Sequence, residues 1–372
     1  MNALTLVLGA ALCSQTPSAP PSLPGGSAFT APSLPTPPSM PTAPSLPAAT
    51  APVPVAPATS AVPPATATSG PISPEDVQDP SGLAPNFTPP VGYVPQATPI
   101  GEQTRGLFES DHAFDGFTTP LSNPVQSKDP RSLTEVRFLF LGDWSRPSTP
   151  VVGGGAFQVY AMQVRLAVTD RLQLYADKDG LVRFSPKGAN SVFAMANIMA
   201  GAKYVFIRDV EDQFLFSGAL QYEAPTGYSN IFEGHGNGLL GVYGIIGKQF
   251  WDNWHFVSTF GQNIALNNSN SGYFMVTGHI DRRFGKFVPF YEANWFYYNQ
   301  SGTHVPGLGV EAGGWVNIGA SQVMGLNYLT NAVGFNYEFN QHVIFGIAYE
   351  YQLSTRTMLM NNILNMQLIF RY

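Results

Sequence analysis

The chain has 372 residues, with 18 Lys and Arg against 24 Asp and Glu, which gives a formal net charge of −6 and only 11% charged residues. Soluble globular domains usually carry about 25% charged residues. The acidic balance and the absence of a basic cluster argue against nucleic-acid binding. Mean hydropathy is close to zero, and no long apolar run is free of Pro and polar residues, which argues against membrane-spanning helices. The composition therefore favours a protein that is apolar on one side only.

An apolar run from Ala3 to Leu12 opens the chain and is followed by small and polar residues. This pattern predicts an export signal peptide over residues 1–13, although no Lys or Arg precedes the run. Cys13 is the only cysteine, and its lipidation stays open because Leu12 is not the small residue that a lipoprotein signal requires. A single cysteine also excludes a disulfide within the chain.

Residues 14–100 are rich in Pro, Ala, Ser and Thr. They contain 24 of the 33 prolines, and no charged residue precedes Glu75. Such a segment cannot bury enough apolar surface to offset its ordering entropy. We expect a disordered Pro-rich linker that either tethers the protein to the cell wall or serves as a passive spacer.

Residues 101–131 contain Phe108, Phe114 and Phe117 among turn-forming residues. The segment is too polar for lipid and too short for a domain. We expect a lead-in or lid at the periplasmic end of the following domain, with a partial plug in its lumen as the alternative.

Apolar residues recur at every second position in residues 132–372. Val343, Phe345 and Ile347, for example, alternate with Ile344 and Gly346. This period predicts twelve strands of about ten residues, joined alternately by tight turns and by long polar loops. An even strand number with this connection pattern is typical of outer-membrane barrels. The predicted fold class is all-β, a closed antiparallel transmembrane β-barrel of about 12 strands, with a soluble β-sandwich as the alternative.

Aromatic residues near the predicted strand ends suit the girdles that such barrels place at the two membrane interfaces. Ordinary packing within the barrel is the alternative. The candidates are Trp251, Trp254, Trp295, Tyr297 and Tyr298.

The positions opposite the apolar ones carry charges of both signs and are predicted to line the lumen. Acidic residues on consecutive strands could face basic residues on the other wall and create a transverse field on solutes. Alternatively, the same residues form a salt-bridged filling of a narrow barrel. The candidates are Arg137, Arg165, Lys203, Glu223, His279, Asp281, Arg283, Glu292, Glu338 and Glu350.

No pattern of catalytic residues emerges. None of the six histidines is followed by Ser at the two-residue spacing that would place both on one face of a strand, as a barrel hydrolase would need. His279 and Asp281 share a face, but two ligands do not make a metal site. We therefore expect no enzymatic activity, metal or cofactor.

Several short motifs, in this order, resemble the outer-membrane barrels of the MetA-pathway phenol-degradation, transporter-like family. The resemblance covers residues 110–372 and implies a porin-like protein in the outer membrane of a Gram-negative-type bacterium. It also implies that the barrel assembly machinery recognises the aromatic-ended last strand. The matching motifs are AVTDRLQL (167–174), GAKY (201–204), APTG (224–227), PFYE (289–292), Tyr349-Glu350 and Phe370-Arg371-Tyr372.

The sequence thus predicts a porin-like protein that lets small solutes pass or bind, embedded in outer-membrane lipid with its N-terminal linker in the periplasm. The alternative is a structural anchor with a filled barrel, whose Pro-rich tether spans to the cell wall.

Overall fold

The computed structural model describes residues 106–150 and 153–372. The predicted signal peptide (1–13), the predicted linker (14–100) and residues 101–105 lie outside the described residues.

The described residues form fourteen strand segments and two short 3-10 helices, His112–Phe114 and Ser229–Ile231. No helix among them is long and apolar enough to span a membrane. The strands are Glu135–Trp144 (β1), Ala156–Ala167 (β2), Leu172–Ala176 (β3), Gly180–Ser185 (β4), Val192–Met195 (β5), Ile198–Asp209 (β6), Phe214–Ala224 (β7), Leu239–Phe250 (β8), Trp254–Ala265 (β9), Gly272–Arg282 (β10), Phe287–Gln300 (β11), Asn327–Asn340 (β12), Val343–Gln352 (β13) and Asn362–Arg371 (β14).

The sheet closes on itself because β1 pairs antiparallel with both β14 and β2. Strand β2 pairs with β3 and, further along, with β4. On its other side, β3 pairs with β6, and β4 pairs with β5. Segments β3 and β4 are therefore two halves of one barrel strand, as are β5 and β6. The result is a closed antiparallel barrel of twelve strands, which confirms the predicted fold class.

The break between β3 and β4 places two successive charged side chains inside the barrel. Asp177 and Lys178 are both buried, at 1% and 5% exposure. In a regular strand, successive side chains point to opposite faces, so one of these charges would lie on the outer surface. The irregularity removes that charge from the apolar face.

The connections differ at the two ends of the barrel. Turns of a few residues join β2 to β3, β6 to β7, β8 to β9, β10 to β11 and β12 to β13, and we call this side the short-turn end. In the turn 283–286, Gly285 has a φ of +62°, which favours glycine. The connections 145–155, 225–238 and 301–326 lie at the opposite, long-loop end. Strand β1 begins, and β14 finishes, at the short-turn end.

Strand residues alternate between an exposed apolar face and a buried face. Phe138, Leu220 and Val333 are 47%, 54% and 52% exposed. Their neighbours Arg137 and Ala332 are fully buried. The barrel thus has an apolar outer surface and a filled interior.

The predicted aromatic girdle is wrong at one position. Trp251, Trp295 and Tyr297 are exposed on the outside, but Tyr298 is 1% exposed. Its hydroxyl accepts a hydrogen bond from the amide of Gly313, 3.1 Å away. The alternation along β11 explains this difference, because adjacent Tyr297 and Tyr298 must face opposite sides.

Candidate functional site: the lumen

The ten charged residues predicted to line the lumen have their side chains on the inner side of the barrel. Arg283 and Glu338 form an ion pair at the short-turn end and are about one-fifth exposed. The other eight are buried, with exposures of 4% or less: Arg137, Arg165, Lys203, Glu223, His279, Asp281, Glu292 and Glu350.

The segment 110–134, which we call the finger, occupies the interior of the barrel. It enters at the short-turn end, where the amide of Ser110 donates to the carbonyl of Tyr372 (3.0 Å). At the tip, the Asn123 side-chain amide donates to the carbonyl of Gly313 in the loop 301–326, 2.6 Å away. The finger returns to the same end, where the amide of Asp111 donates to the carbonyl of Ser132 (2.9 Å). The predicted segment 101–131, as far as it is described, therefore runs up into the lumen and back.

One side of the lumen, which we call the acidic wall, carries Asp281 on β10, Glu292 on β11 and Glu350 on β13. Glu292 accepts the amides of Leu121 and Ser122 in the finger, at 2.8 and 2.5 Å. Both Glu292 and Asp281 bind His279, at 2.6 and 3.0 Å. The acidic wall therefore presents acceptors to the N–H groups of the finger.

Asp281 extends this network toward the short-turn end. It accepts a hydrogen bond from the Thr118 hydroxyl of the finger (2.7 Å) and pairs with His255 (2.7 Å). Glu350 accepts from Thr330, 2.6 Å away, and from Asn365, 3.1 Å away. No cation among the described residues pairs with Glu350 within ion-pair distance.

The opposite side, which we call the basic wall, carries Arg137 on β1, Arg165 on β2 and Lys203 on β6. Arg137 donates to the carbonyl of Pro120, 2.7 Å away. Lys203 donates to two further finger carbonyls, those of Asp129 and Arg131. Together the two walls satisfy finger polar groups that would otherwise be buried without partners.

Ion pairs inside the barrel also fix the seam and attach the finger. Glu135 on β1 binds Arg165 on β2 at 2.9 Å and Arg371 on β14 at 2.9 Å. Asp177 binds Lys128 of the finger at 2.8 Å and lies 3.5 Å from Arg165. These bonds connect three neighbouring strands to each other and to the finger.

The long-loop end of the lumen is closed by apolar residues from the loops. Trp315 and Ile318 of the loop 301–326 pack in one cluster with Phe157 and Phe184 of the barrel wall and with Met358 of the loop 353–361. A cavity of about 20 Å³ lies between Val125 of the finger and Trp315. The lumen thus has a polar layer around the finger and an apolar layer beneath the loops.

Glu311 organises the loop 301–326. Its buried carboxylate accepts hydrogen bonds from Ser271 (2.7 Å) and from the amides of Ile318 and Ala320 (both 2.9 Å). Burial raises the pKa of Glu311 from the ordinary 4.5 to about 7. The folded loop therefore favours the protonated carboxyl more than the unfolded loop does.

This shift predicts a loop that loosens as the pH rises. The stabilisation is complete below the ordinary pKa and is lost as the pH passes through about 7. We expect chymotrypsin to cleave after Trp315 at least roughly tenfold faster at about pH 8 than at about pH 5, since one unit of pKa shift is a factor of ten. Each rate is normalised to that of Glu311→Gln, which corrects for the protease's own pH dependence. A constant ratio between the two proteins would contradict this role of Glu311.

Histidine and carboxylate positions give no metal centre. Among the described residues, no group of three or more His, Cys, Asp and Glu side chains is arranged to hold a metal ion. His235 and His304, in two different loops, stack with ring centroids 3.9 Å apart and an interplanar angle of 4°. Parallel stacked rings direct their in-plane lone pairs alongside each other, so they do not converge on one ion.

Several interior residues were absent from the predicted set. Glu135, Asp177 and Arg371 lie on the inner face, and their positions follow from the two-residue alternation with Arg137, Gln173 and Gln367. The contacts that the finger makes inside the barrel leave no comparable pattern in the sequence. Thr118, Gln126 and Lys128 show no strand period, and their partners lie far away in the sequence.

Comparisons with known proteins give structural neighbours only. No protein-family model and no curated protein matches the chain. Among solved structures, an outer membrane channel from Pseudomonas putida F1 is 11% identical, with a TM-score of 0.47, over 69% of this chain and 100% of that one. The NanC porin (9% identity, TM-score 0.41) covers 64% and 100%, and the KdgM porin (10%, 0.39) covers 64% and 99%. The solved structures to which this chain is similar thus include outer-membrane channels and porins.

Proposed function

We propose that the chain is a porin-like outer-membrane protein that passes small solutes through a mixed-charge lumen, and that the finger closes this lumen in the conformation described above. The observation that carries the proposal is the polar contact between the finger and the two charged walls. Withdrawal of the finger would leave Arg137, Lys203 and Glu292 lining a hydrated passage.

The outer surface supports a membrane location. Apolar side chains such as Phe138, Leu220 and Val333 are about half exposed all around the closed sheet. In water, such a surface would lead to association, whereas a closed barrel has no unpaired edges and is suited to lipid. We place the short-turn end in the periplasm, together with the linker and the last strand that the barrel assembly machinery would recognise.

The polar character of the filling supports a passage over a permanent seal. Buried ion pairs often stabilise a protein no better than apolar residues of similar volume. A barrel that is always closed has no need of them. Twelve strands also enclose more space than the eight whose interior side chains alone can fill. The finger therefore fills space that the side chains of the wall leave open.

A charge on the outer face tests the membrane location. Leu220 lies near the middle of β7, and Leu220→Arg is expected to destabilise the barrel by about 2–4 kcal/mol in lipid vesicles. The control is Leu266→Arg, just beyond the end of β9, for which about 0–1 kcal/mol is expected because interfacial depth tolerates charge. Unfolding by urea, followed by tryptophan fluorescence, measures both. Equal, small effects would indicate that the outer face does not lie in lipid.

Single-channel recording of the full chain in a planar bilayer tests the passage itself. We expect a mostly silent protein with brief openings, and reversal potentials in asymmetric salt that change with Glu292→Gln. Silence under every condition, including loss of the finger, would instead support the structural anchor that the sequence also suggests.

A further inference from the structure

The barrel wall binds the finger's backbone at many points. Side chains from several strands, among them β1, β2, β6 and β7, donate to its carbonyls. Arg137 and Gln163 bind the carbonyls of Pro120 (2.7 Å) and Pro124 (3.0 Å). Ser217 binds the carbonyl of Pro130 (2.6 Å). Lys203 binds two more. Proline has no amide hydrogen, so the carbonyl is the only backbone group that each of these prolines offers.

The opposite side of the lumen accepts from the finger's amides. Glu292 takes two successive N–H groups, those of Leu121 and Ser122. The Thr259 hydroxyl on β9 takes the N–H of Lys128, 2.9 Å away. The donors on β1, β2, β6 and β7 and the acceptors on β9 and β11 thus contact the finger from different parts of the wall.

One peptide bond of the finger bridges the two walls. The carbonyl of Pro120 binds the Arg137 guanidinium, and the adjoining N–H of Leu121 binds the Glu292 carboxylate at 2.8 Å. Both wall residues are buried, at 0% and 1% exposure. Hydrogen bonds of this kind, with a charged partner, are roughly twice as strong as neutral ones. The arrangement fits a trans peptide bond, whose carbonyl and N–H point to opposite sides.

We infer that the lumen is a binding site for short peptides and that the finger is its built-in occupant, which a peptide cargo replaces. This inference rests on the proposed function, since the cargo needs a lumen that the finger can leave. Backbone contacts do not read side chains, so the site accepts peptides of different sequence. Sugars lack the fixed order of carbonyl and amide groups, so they bind the same walls less well.

The test is block of an open channel by a peptide. The channel is opened in two ways, by replacing residues 112–131 with a Gly-Ser-Gly linker and, in the intact chain, by Asp111→Ala. The second variant removes the bond of Arg208 to Asp111, whose two contacts of 2.8 and 2.7 Å hold the base of the finger. It keeps the experiment possible if the first variant does not fold. The probes are the hexapeptide TPLSNP, which copies residues 119–124, a scrambled hexapeptide of the same composition, and sucrose.

We expect both peptides to interrupt the current at similar concentrations and sucrose to have no such effect at tenfold higher concentration. Glu292→Gln or Arg137→Gln in the open channel should raise the half-blocking peptide concentration about tenfold, as expected for loss of one charge-assisted hydrogen bond. The matched control is Glu211→Gln, which removes an exposed charge in the β6–β7 turn and should leave the block unchanged.

The outcomes separate this inference from the proposed function. If peptides and sucrose block the open channel equally, or if Glu292→Gln does not change the block, the peptide site is contradicted. The proposed passage is not affected by either result. If TPLSNP blocks the channel and the scrambled peptide does not, the site does not bind peptides through their backbone alone, and this inference is contradicted. Folded variants that stay silent overturn the passage and the peptide site together.

Discussion

Replacing residues 112–131 with a short Gly-Ser-Gly linker should convert a nearly silent barrel into a conducting one. The replacement is geometrically simple because the amide of Asp111 already lies 2.9 Å from the carbonyl of Ser132. We expect the time-averaged conductance in planar bilayers to rise about tenfold or more, since twelve strands enclose more space than their own side chains fill. The polar wall residues that lose the finger become hydrated, so the barrel itself should persist.

The control for this variant is a test that its barrel is still folded. Retention of heat-modifiable mobility on electrophoresis shows that the barrel is intact, and any change in conductance then belongs to the finger. The apolar layer formed by Trp315, Ile318 and Met358 at the long-loop end is unchanged in this variant. A folded protein without conductance would therefore contradict the proposed passage, because the loops would then close the lumen without the finger.

Removal of Glu135 should have the largest effect on stability. Its carboxylate binds Arg165 and Arg371 and thereby connects β2, β1 and β14 at the seam of the barrel. All three residues are buried, with exposures of 2%, 4% and 8%. Glu135→Ala removes the carboxylate partner of Arg371 and leaves Arg165 with only its longer ion-pair contact to Asp177, at 3.5 Å. Breaking a buried pair in this way typically costs about 3–5 kcal/mol.

The measurement is the free energy of unfolding in urea, with the barrel in lipid vesicles. Asp170→Ala is the matched control, because Asp170 is 47% exposed and lies 3.9 Å from Arg208. An exposed pair of this kind contributes about 0–1 kcal/mol. If the two substitutions had equal effects, the seam would depend on backbone pairing alone.

The architecture could be predicted from the sequence because an apolar outer face and a filled lumen impose an alternation on most strands. Strand β13 shows this directly, with Ile347 and Tyr349 outside and Ala348 and Glu350 inside. The same rule, applied residue by residue, would have placed Tyr298 inside. The alternation predicts on which side of the barrel each wall residue lies, because that side depends mainly on the position of the residue in its own strand.

The filling of the lumen could not be predicted in this way. The finger has no periodic pattern, because its conformation is set by side chains such as Arg137, Lys203 and Glu292, which come from distant strands. The break at Asp177 and Lys178 has the same origin. Both side chains turn inward toward charges on other elements, Lys128 for the first and Glu223 for the second. Such contacts exist only after the barrel has closed.

The finger enters and leaves through the same opening, so the described part of the chain is not threaded through the ring of strands. Its insertion requires no gap between β1 and β14, and its removal breaks no pairing between strands. The order of assembly is therefore not fixed by the topology: the ring can close before or after the segment that fills it is inserted. A barrel of this design can close around water and take up its own chain afterwards.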